Sequence, residues 1–452
     1  MGVNGSYTWL PGFVETDRRF FSLFANAAYT YKDRYTVSGS ARIDQSNLFG
    51  TDPKYRYRPL WSSGLSWNLG KEDFLGSANF VNRLILRATY GVNGNIGNSS
   101  PYPIAGTGKN FSTQENMLTF TNPENQALRP EKTTSTNFGL DFALFNYRIS
   151  GSFDVYRKRS YDLLAGSILD PTTGFVSADK NTASMKNRGV ELNLNARILQ
   201  GEVRLDADFN IGYNKNKVTD VLTPTNTAAT YITGNSPITG LPLSYLYSYK
   251  WAGLSATGEP QIYDASGNVK SWSTARLTDT KALSYVGTLD PPVYGGMMLN
   301  IGYKGFTFSP QFTFKTGHVM RRNITRTELS VGVTSDIANR WKVAGDEAKT
   351  NIPRLYNTAS IDAKWNDYYR NADVWNEDAS FVRLRSMTLA YQLPEKFLFK
   401  VFTAASFTAQ ANNVWLWTAN EQGLDPDYID LRTGSIGTPP VKNYVFSLNL
   451  NF

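Results

Sequence analysis

The segment YVFSLNLNF, residues 444–452, places apolar and other side chains at alternate positions. Successive side chains of a β-strand point to opposite faces, so this segment predicts a strand with one wholly apolar and one mostly polar face. Soluble sandwiches and membrane barrels both contain such strands, and the other strands must decide between them. The apolar face consists of Tyr444, Phe446, Leu448, Leu450 and Phe452.

The same alternation recurs throughout the chain. In VRLDADFNIGY (203–213), apolar side chains at every second position oppose a polar stripe. We expect the apolar set to face outward and Arg204, Asp206 and Asp208 to face the lumen of a barrel. The other predicted strands cover residues 20–31, 34–43, 61–69, 83–92, 134–144, 147–156, 188–198, 295–303, 306–314, 381–393 and 401–411, with 444–452 as the last.

The connections alternate between short and long. Short turns such as KDR, FN and KG are followed by the long connections 94–131, 159–187, 214–293, 318–380 and 413–442. Outer-membrane barrels have short periplasmic turns, long outer loops and aromatic residues at both membrane interfaces, whereas a β-sandwich or propeller would have loops of similar length at both ends. The pattern predicts an all-β, transmembrane antiparallel β-barrel with long extracellular loops. Within one loop, LSYLYSYKWAGL (243–254) is interpreted as an extracellular hairpin.

Composition excludes several classes of protein. The chain has no cysteine and one histidine, His318, which excludes disulfide scaffolds, thiol catalysis and multi-histidine zinc sites. The net charge is +8, but the basic residues are scattered rather than gathered in a run, so no nucleic-acid partner is expected. No stretch approaches the roughly 18 apolar residues of a membrane helix. The start of the chain lacks the pattern of a secretion signal.

Ordered motifs give the chain a resemblance to a known family. It resembles the C-terminal half of SusC/RagA-type TonB-dependent transporters of the Bacteroidetes outer membrane. The resemblance implies a large barrel with a plug in its lumen, which imports glycans or peptides under a SusD-like lipoprotein lid and draws energy from the TonB complex. The motifs lie at 31–50 (YKDRYTVSGSARIDQSNLFG), 61–75, 86–95, 128–142, 156–164, 187–195, 380–394 and 412–428 (NNVWLWTANEQGLDPDY).

The family's plug, TonB box and signal sequence have no counterpart in residues 1–452. We therefore expect the whole chain to be the C-terminal portion of a longer barrel, partnered by the N-terminal barrel and plug portion and by the lipid bilayer. The predicted strands number about 13, against about 22 in large outer-membrane transporters. An odd antiparallel set cannot close on itself without one parallel seam.

The terminal strand has a second predicted role. The final strand of an outer-membrane barrel is thought to be read by the assembly machinery. Apolar residues at every second position back from a terminal Phe452 fit such a signal. An ordinary last strand explains the alternation but not the abrupt aromatic end.

The connection 318–380 is the richest in candidate ligand groups. Sugar rings stack on aromatic faces while carboxylate and guanidinium groups bond sugar hydroxyls. The alternative is that these aromatic residues pack the loop against itself and the lid. The predicted substrate-binding residues are Trp341, Arg354, Trp365, Tyr368, Tyr369 and Trp375, near Arg340, Asp362, Asp367 and Arg370. Farther along, Arg383 and Arg385 alternate with apolar residues and are expected to face the lumen, the plug or the substrate.

No motif indicates an enzyme, a cofactor or a metal site. GVNGNIG (91–97) lacks the glycine spacing of a dinucleotide loop, and we interpret it as the end of a strand. DPDYID (425–430) has the oxygen ligands that calcium prefers, but a solvated turn or a contact with the lid is the favoured interpretation. Two other functions stay open: a passive porin or barrel adhesin, and a secreted β-rich carbohydrate-binding protein.

Overall fold

The computed structural model describes residues 19–48, 52, 54, 58–95, 97, 99–222, 227–234, 236–271, 277–324, 335–355, 363–398 and 402–452, with backbone alone at 363–366. The strands are β1 Phe20–Tyr31, β2 Tyr35–Ser46, β3 Leu60–Asn68, β4 Val81–Asn95, β5 Ile104–Lys109, β6 Asn116–Asn122, β7 Glu131–Leu144, β8 Ile149–Ile168, β9 Ser177–Gln200, β10 Val203–Asp220, β11 Tyr245–Tyr249, β12 Trp251–Leu254, β13 Pro260–Tyr263, β14 Val269–Ser271, β15 Leu283–Thr288, β16 Val293–Tyr303, β17 Phe306–Thr316, β18 Val319–Arg321, β19 Asn376–Asp378, β20 Phe381–Gln392, β21 Ala404–Thr418 and β22 Asn443–Asn451.

Helical structure is sparse. Two short α-helices in the described part of the chain cover Ala228–Thr233 and Ala363–Arg370. No helix in the described ranges is both long enough and apolar enough to cross a membrane. Single 3₁₀ turns cover Leu69–Lys71, Asp73–Leu75, Pro171–Thr173, Thr280–Ala282, Ser335–Asn339, Asp346–Ala348, Asp373–Trp375, Glu395–Phe397 and Pro426–Tyr428.

Thirteen strands form one sheet, which confirms the predicted number. Their order is β1-β2-β3-β4-β7-β8-β9-β10-β16-β17-β20-β21-β22, so each strand pairs with the strands of this sheet that come next to it in chain order, and every pair is antiparallel. The register keeps one phase across the sheet. Phe209, for example, lies opposite Leu194 on one side and Met297 on the other. Since paired residues point to the same face, apolar side chains meet apolar ones along the whole sheet.

Strand β20 keeps this phase through a β-bulge. In β20, Val382 and Leu384 fall out of step by one residue with Met387 and Leu389. On β17, Gln311 pairs with Ser386 and the next residue, Phe312, pairs with Leu384. Arg385 is therefore the extra residue of β20. A bulge inserts one residue into one strand and so returns the apolar side chains to a single face.

The apolar face is open. Phe446 is 70% exposed, Leu448 is 63% exposed and Phe138 is 61% exposed. A soluble monomer rarely leaves a continuous apolar surface of this extent in water. The exposed face is therefore the one expected to contact lipid.

The strands extend farther than alternation predicted. β8 extends to Ile168 and β9 begins at Ser177, so most of the predicted connection 159–187 is strand. About 9–11 tilted residues cross a bilayer, and the remaining residues of these strands form a ladder beyond it. In water both faces of such a ladder can be polar, so no alternation of apolar residues marks it.

The segment 243–254 is not a hairpin, contrary to the prediction. Its first half, β11, pairs with β15, and its second half, β12, pairs with β13. Both halves are short and apolar, so the pattern within the segment could not reveal that each has a partner elsewhere. The turn at 264–268 joins β13 to β14 in a hairpin, with Asp264 accepting the N–H groups of Ser266 and Asn268 at 2.9 Å each.

The buried core lies in the long connections rather than in the sheet. Three hydrophobic clusters in the described residues draw nearly all their members from the connections β10–β16, β17–β20 and β21–β22. Many large apolar side chains of the sheet lie on its exposed face, whereas the connections bury theirs against protein. The clusters centre on Tyr369 and Trp375, on Tyr249 and Tyr368, and on Met320 and Ile429.

Phe209→Arg tests the orientation of the sheet. If Phe209 faces lipid, a cation there should lower the free energy of unfolding in lipid vesicles by about 2–4 kcal/mol. Asp206→Arg, on the other face of the same strand, is the matched control and should be tolerated far better. Denaturant unfolding of the two variants gives the comparison, and equal losses would contradict the assigned faces.

Candidate functional site

Three connections fold together at the end of the sheet opposite the short turns. Tyr249 in the connection β10–β16 forms a β-bridge with Ala372 in β17–β20. The backbone N–H of Arg321 donates to the carbonyl of Leu431 in β21–β22 at 2.8 Å. We call these three connections the loop assembly. Backbone bonds between them make it one frame on which side chains hold fixed positions.

Arg321 holds the loop assembly together. Its side chain is 2% exposed. One guanidinium nitrogen donates to Asn371 Oδ1 at 2.7 Å and to the Arg432 carbonyl at 3.0 Å. The other donates to the Tyr247 carbonyl at 2.6 Å and to Ser248 Oγ at 3.0 Å. Burial lowers the pKa of Arg321 to about 10, so one charged group still ties the three connections together at neutral pH.

Arg383 and Arg385 meet carboxylates of the same chain. Arg383, 3% exposed on β20, contacts Asp425 and lies 3.3 Å from Asp427. Asp427 also contacts Lys315 at 2.8 Å and Arg385 at 3.4 Å. These ion pairs fix the connection β21–β22 to β17 and β20. Contact of either arginine with a plug or a substrate stays a prediction.

The same ion pairs account for the acidic segment 425–430. Asp425 and Asp427 are bound to cations, and Asp430 accepts the N–H groups of Arg432 and Thr433 at 2.9 and 2.8 Å. Across the described residues, no group of three or more His, Asp or Glu side chains could hold a metal ion. The acids of this segment thus act as anchors within the chain.

His318 is buried where β17 enters the loop assembly. The side chain is 2% exposed, and its Nδ1 has no hydrogen-bond partner within the described ranges. Burial is the main cause that lowers the pKa of His318 to about 4, with Lys315 adding to it against the nearby Asp290, Asp378 and Asp427. The ring is therefore neutral at physiological pH and serves as a packing group.

Three of the predicted substrate-binding residues lie inside the loop assembly. Tyr368, Tyr369 and Trp375 are 1%, 0% and 4% exposed. The Tyr368 ring meets Tyr249 edge-on with centroids 4.9 Å apart, and Tyr369 meets Trp375 edge-on at 5.5 Å. A sugar needs an open aromatic face, and these faces are covered by protein. Direct stacking on a substrate is not supported for these three rings. Their surroundings fit the alternative, in which the aromatic residues pack the loop against itself.

Trp341 and Arg354 connect two parts of the loop assembly. Arg354 donates to Glu259 at 2.9 Å, and Trp341 donates to Glu347 at 3.0 Å. The Trp341 ring lies against Gly258, whose φ is +75° and whose missing Cβ would come within 2.5 Å of the ring. Only glycine permits both that conformation and that approach. The side chain of Trp365, the remaining candidate, lies outside the described residues.

Arg204, Asp206 and Asp208 lie on the polar face of β10. Asp208 accepts a hydrogen bond from Asn195 on β9. Arg204 extends over Gly302 on β16, with its Nε 3.3 Å from the place a Cβ would take. The structure therefore shows these residues on the sheet face opposite the exposed apolar residues. That this face lines a lumen stays a prediction.

A polar cleft of about 770 Å³ opens between the connections β17–β20 and β21–β22. Arg322 forms one wall, with its guanidinium 4.9 Å from the centre of the Trp375 ring and 3.3 Å from Asp336. A second cavity of about 460 Å³ shares Arg322 and Trp375 with the first and adds Glu377, 3.8 Å from Arg322. This cleft is the candidate ligand site.

Sequence reasoning missed the residues that organise this site. Arg321 ends the short strand β18 and Arg322 follows it directly, yet Arg321 is buried in the loop assembly and Arg322 lines the cleft. Their partners come from distant parts of the chain, so no local spacing marks them. Arg340, noted among the charges of the connection 318–380, does line the cleft.

Known proteins share this architecture. The family model TonB dependent receptor-like, beta-barrel matches residues 2–414. TonB-dependent receptor P3 of Formosa agariphila is 27% identical over 99% of this chain, and TonB-dependent receptor SusC of Bacteroides thetaiotaomicron is 24% identical over 96%. The chain spans about half the length of these relatives, 47% and 44%. The solved RagAB peptide transporter matches with a TM-score of 0.78 and 26% identity, over 96% of this chain and 48% of that chain.

Arg383→Gln tests the anchoring of the connection β21–β22. Removing one partner of a buried ion pair destabilises by about 3–5 kcal/mol, because the other charge stays buried. Arg385→Gln is the control, since the Arg385 side chain is 40% exposed and its one ion pair among the described residues is 3.4 Å long. We expect faster proteolysis within 419–442 for Arg383→Gln only. Equal cleavage rates in the two variants would exclude the anchoring role.

Proposed function

The chain belongs to the TonB-dependent receptor-like β-barrel family of the bacterial outer membrane, and from that premise we propose that it forms the C-terminal part of an active importer. The family consists of receptors and transporters rather than enzymes. In this proposal the chain supplies barrel wall and outer loops, while the plug and the other strands belong to the N-terminal portion of the same protein. The TonB complex acts on the plug, and the substrates are nutrient oligomers, either glycans or peptides.

The open edges of the sheet carry this proposal. Within the described ranges, β1 pairs only with β2, and β22 pairs only with β21. Unpaired backbone groups in hydrocarbon are strongly unfavourable, so an open sheet cannot persist in a bilayer. Relatives about twice as long have room for the missing strands. We infer that β22 pairs with the first strand of the whole barrel and β1 with a strand that precedes it.

The terminal strand fits a further part of the proposal. Tyr444, Phe446, Leu448 and Phe452 are between 63% and 84% exposed, with Leu450 at 38%. An open edge with such an apolar face can be bound by assembly machinery before it pairs. We therefore keep these five residues as the proposed assembly signal.

A lid lipoprotein of the SusD type is the proposed outer partner. The hairpin β5–β6 rises from the connection β4–β7 as a separate two-stranded sheet, and all its strand residues are exposed. Phe111 at its tip is 95% exposed, and Leu118 is 65% exposed. An isolated hairpin is only marginally stable in water, so a partner that covers these apolar groups would stabilise it. The hairpin thus supports an outer protein partner.

Expression of residues 1–452 alone, with an added signal peptide, separates the proposal from a passive porin. We expect no heat-resistant folded band and no monomeric pore, because both sheet edges lack partners. Co-expression with the N-terminal portion should restore both. A closed barrel formed by this chain alone would favour the porin, as would uptake that persists after the proton-motive force is collapsed.

Phe111→Asp tests the lid contact. An aromatic side chain that is buried at an interface often contributes about 2 kcal/mol or more, so lid binding by the full-length protein should weaken by at least about tenfold. Ser112→Asp adds the same charge at the hairpin tip without removing the ring. Co-purification of the lid lipoprotein with each variant provides the measurement. Unchanged retention in Phe111→Asp would place the lid contact elsewhere.

A further inference from the structure

The cleft beside Arg322 has charges of both signs, but they differ in how far they are already bound. Its described lining contains three carboxylates and four cations. A ligand competes poorly for a group that fixed donors already satisfy, and binds readily to one that has no strong partner. The carboxylates are Asp336, Asp346 and Glu347, and the cations are Arg322, Arg340, Lys342 and Lys349.

The carboxylates are occupied. Asp346 accepts the backbone N–H groups of Lys342 and Val343 at 3.2 and 3.1 Å. Glu347 accepts the indole N–H of Trp341 at 3.0 Å. These hydrogen bonds lower the pKa of both carboxyl groups, which stay ionised while they hold the turn. Asp336 faces Arg322 at 3.3 Å, so the acids of the cleft serve the structure.

Three of the four cations have only weak partners among the described residues. Arg340 donates to the carbonyl of Ile337 at 3.2 Å and has no carboxylate partner within the described ranges. Lys349 is 76% exposed and meets Asp346 at 3.4 Å, a surface pair of little strength. Lys342 is exposed. Three of the cations that line the cleft therefore have capacity for an anion.

The one aromatic residue in the described lining offers no place for a neutral sugar. Trp375 is 4% exposed, and the guanidinium of Arg322 lies 4.9 Å over its ring. The cation occupies the face on which a sugar would stack. Recognition in this cleft must therefore depend on charge and hydrogen bonds.

We propose that the cleft binds a carboxylate group of the imported oligomer, with Arg340 as the main partner and Lys342 and Lys349 in support. The planar guanidinium matches a carboxylate with two parallel hydrogen bonds. This inference rests on the proposed importer and specifies one chemical requirement for its substrate. A carboxylate can come from an acidic peptide or from a uronic acid sugar.

Binding to the full-length protein tests the inference with pairs of probes that differ in a charged carboxylate. One pair is acetyl-Ala-Glu-Glu-Ala-amide and its Gln counterpart; the other is tetragalacturonate and its methyl ester. Calorimetry should show that the acidic member of at least one pair binds about tenfold tighter, the size expected for a charge-assisted hydrogen bond. Whichever pair shows the difference identifies the source of the carboxylate.

Arg340→Gln should abolish this preference, and Arg340→Lys should retain part of it. Lys442→Gln removes one positive charge outside the cleft and should leave the preference intact. Equal binding of acidic and neutral probes, or an unchanged preference in Arg340→Gln, would overturn the inference. If uptake of a neutral probe then still required the proton-motive force, the proposed importer function would be retained and only the cleft assignment would fail. Conversely, the protein could prefer the acidic probe while uptake does not depend on the proton-motive force. That result would contradict the proposed importer and support the cleft assignment.

Discussion

A backbone N–H or C=O group in the hydrocarbon of a bilayer must find its hydrogen bond within the protein, and the structure follows from that constraint. In the thirteen-stranded sheet, every strand except the two at the edges has a hydrogen-bonded strand on both sides. Lipid as a neighbour turns the apolar side chains outward, so the sheet has no core of its own. In the proposed importer, these two edges are where the other strands of the barrel would pair.

The same constraint explains why the buried residues lie mainly in the long connections. Long connections outside the bilayer have to pack against each other in water, and they do so around aromatic clusters and buried guanidinium groups. Arg321 bonds four groups from three connections, and Arg383 binds two carboxylates of the connection β21–β22. A guanidinium suits this task because its five N–H groups point in fixed directions. Strand ends and loops are joined through charge rather than through a continuous apolar core.

The candidate cleft is a product of the same packing. Its carboxylates hold a turn and a guanidinium, and its principal aromatic ring is covered by that guanidinium. Side chains that the composition of the connection 318–380 suggested as sugar platforms are thus used in the frame itself. The groups left for a ligand are those with no carboxylate partner among the described residues, Arg340 foremost, since its side chain donates to the Ile337 carbonyl.

The sequence by itself determined the number of strands in the main sheet, their apolar faces and the short turns, because side chains on a strand alternate with a period that local residues reveal. It also determined the family, through motifs spread along the chain. Only the tertiary structure decided the bulge at Arg385, the separate partners of β11 and β12, and the burial of Tyr368, Tyr369 and Trp375. It alone joined Arg321 to Arg432 and Arg383 to Asp425. Alternation is a property of neighbouring residues, whereas these contacts join residues far apart in the chain, and a loop's composition is the same whether its aromatic rings face a ligand or each other.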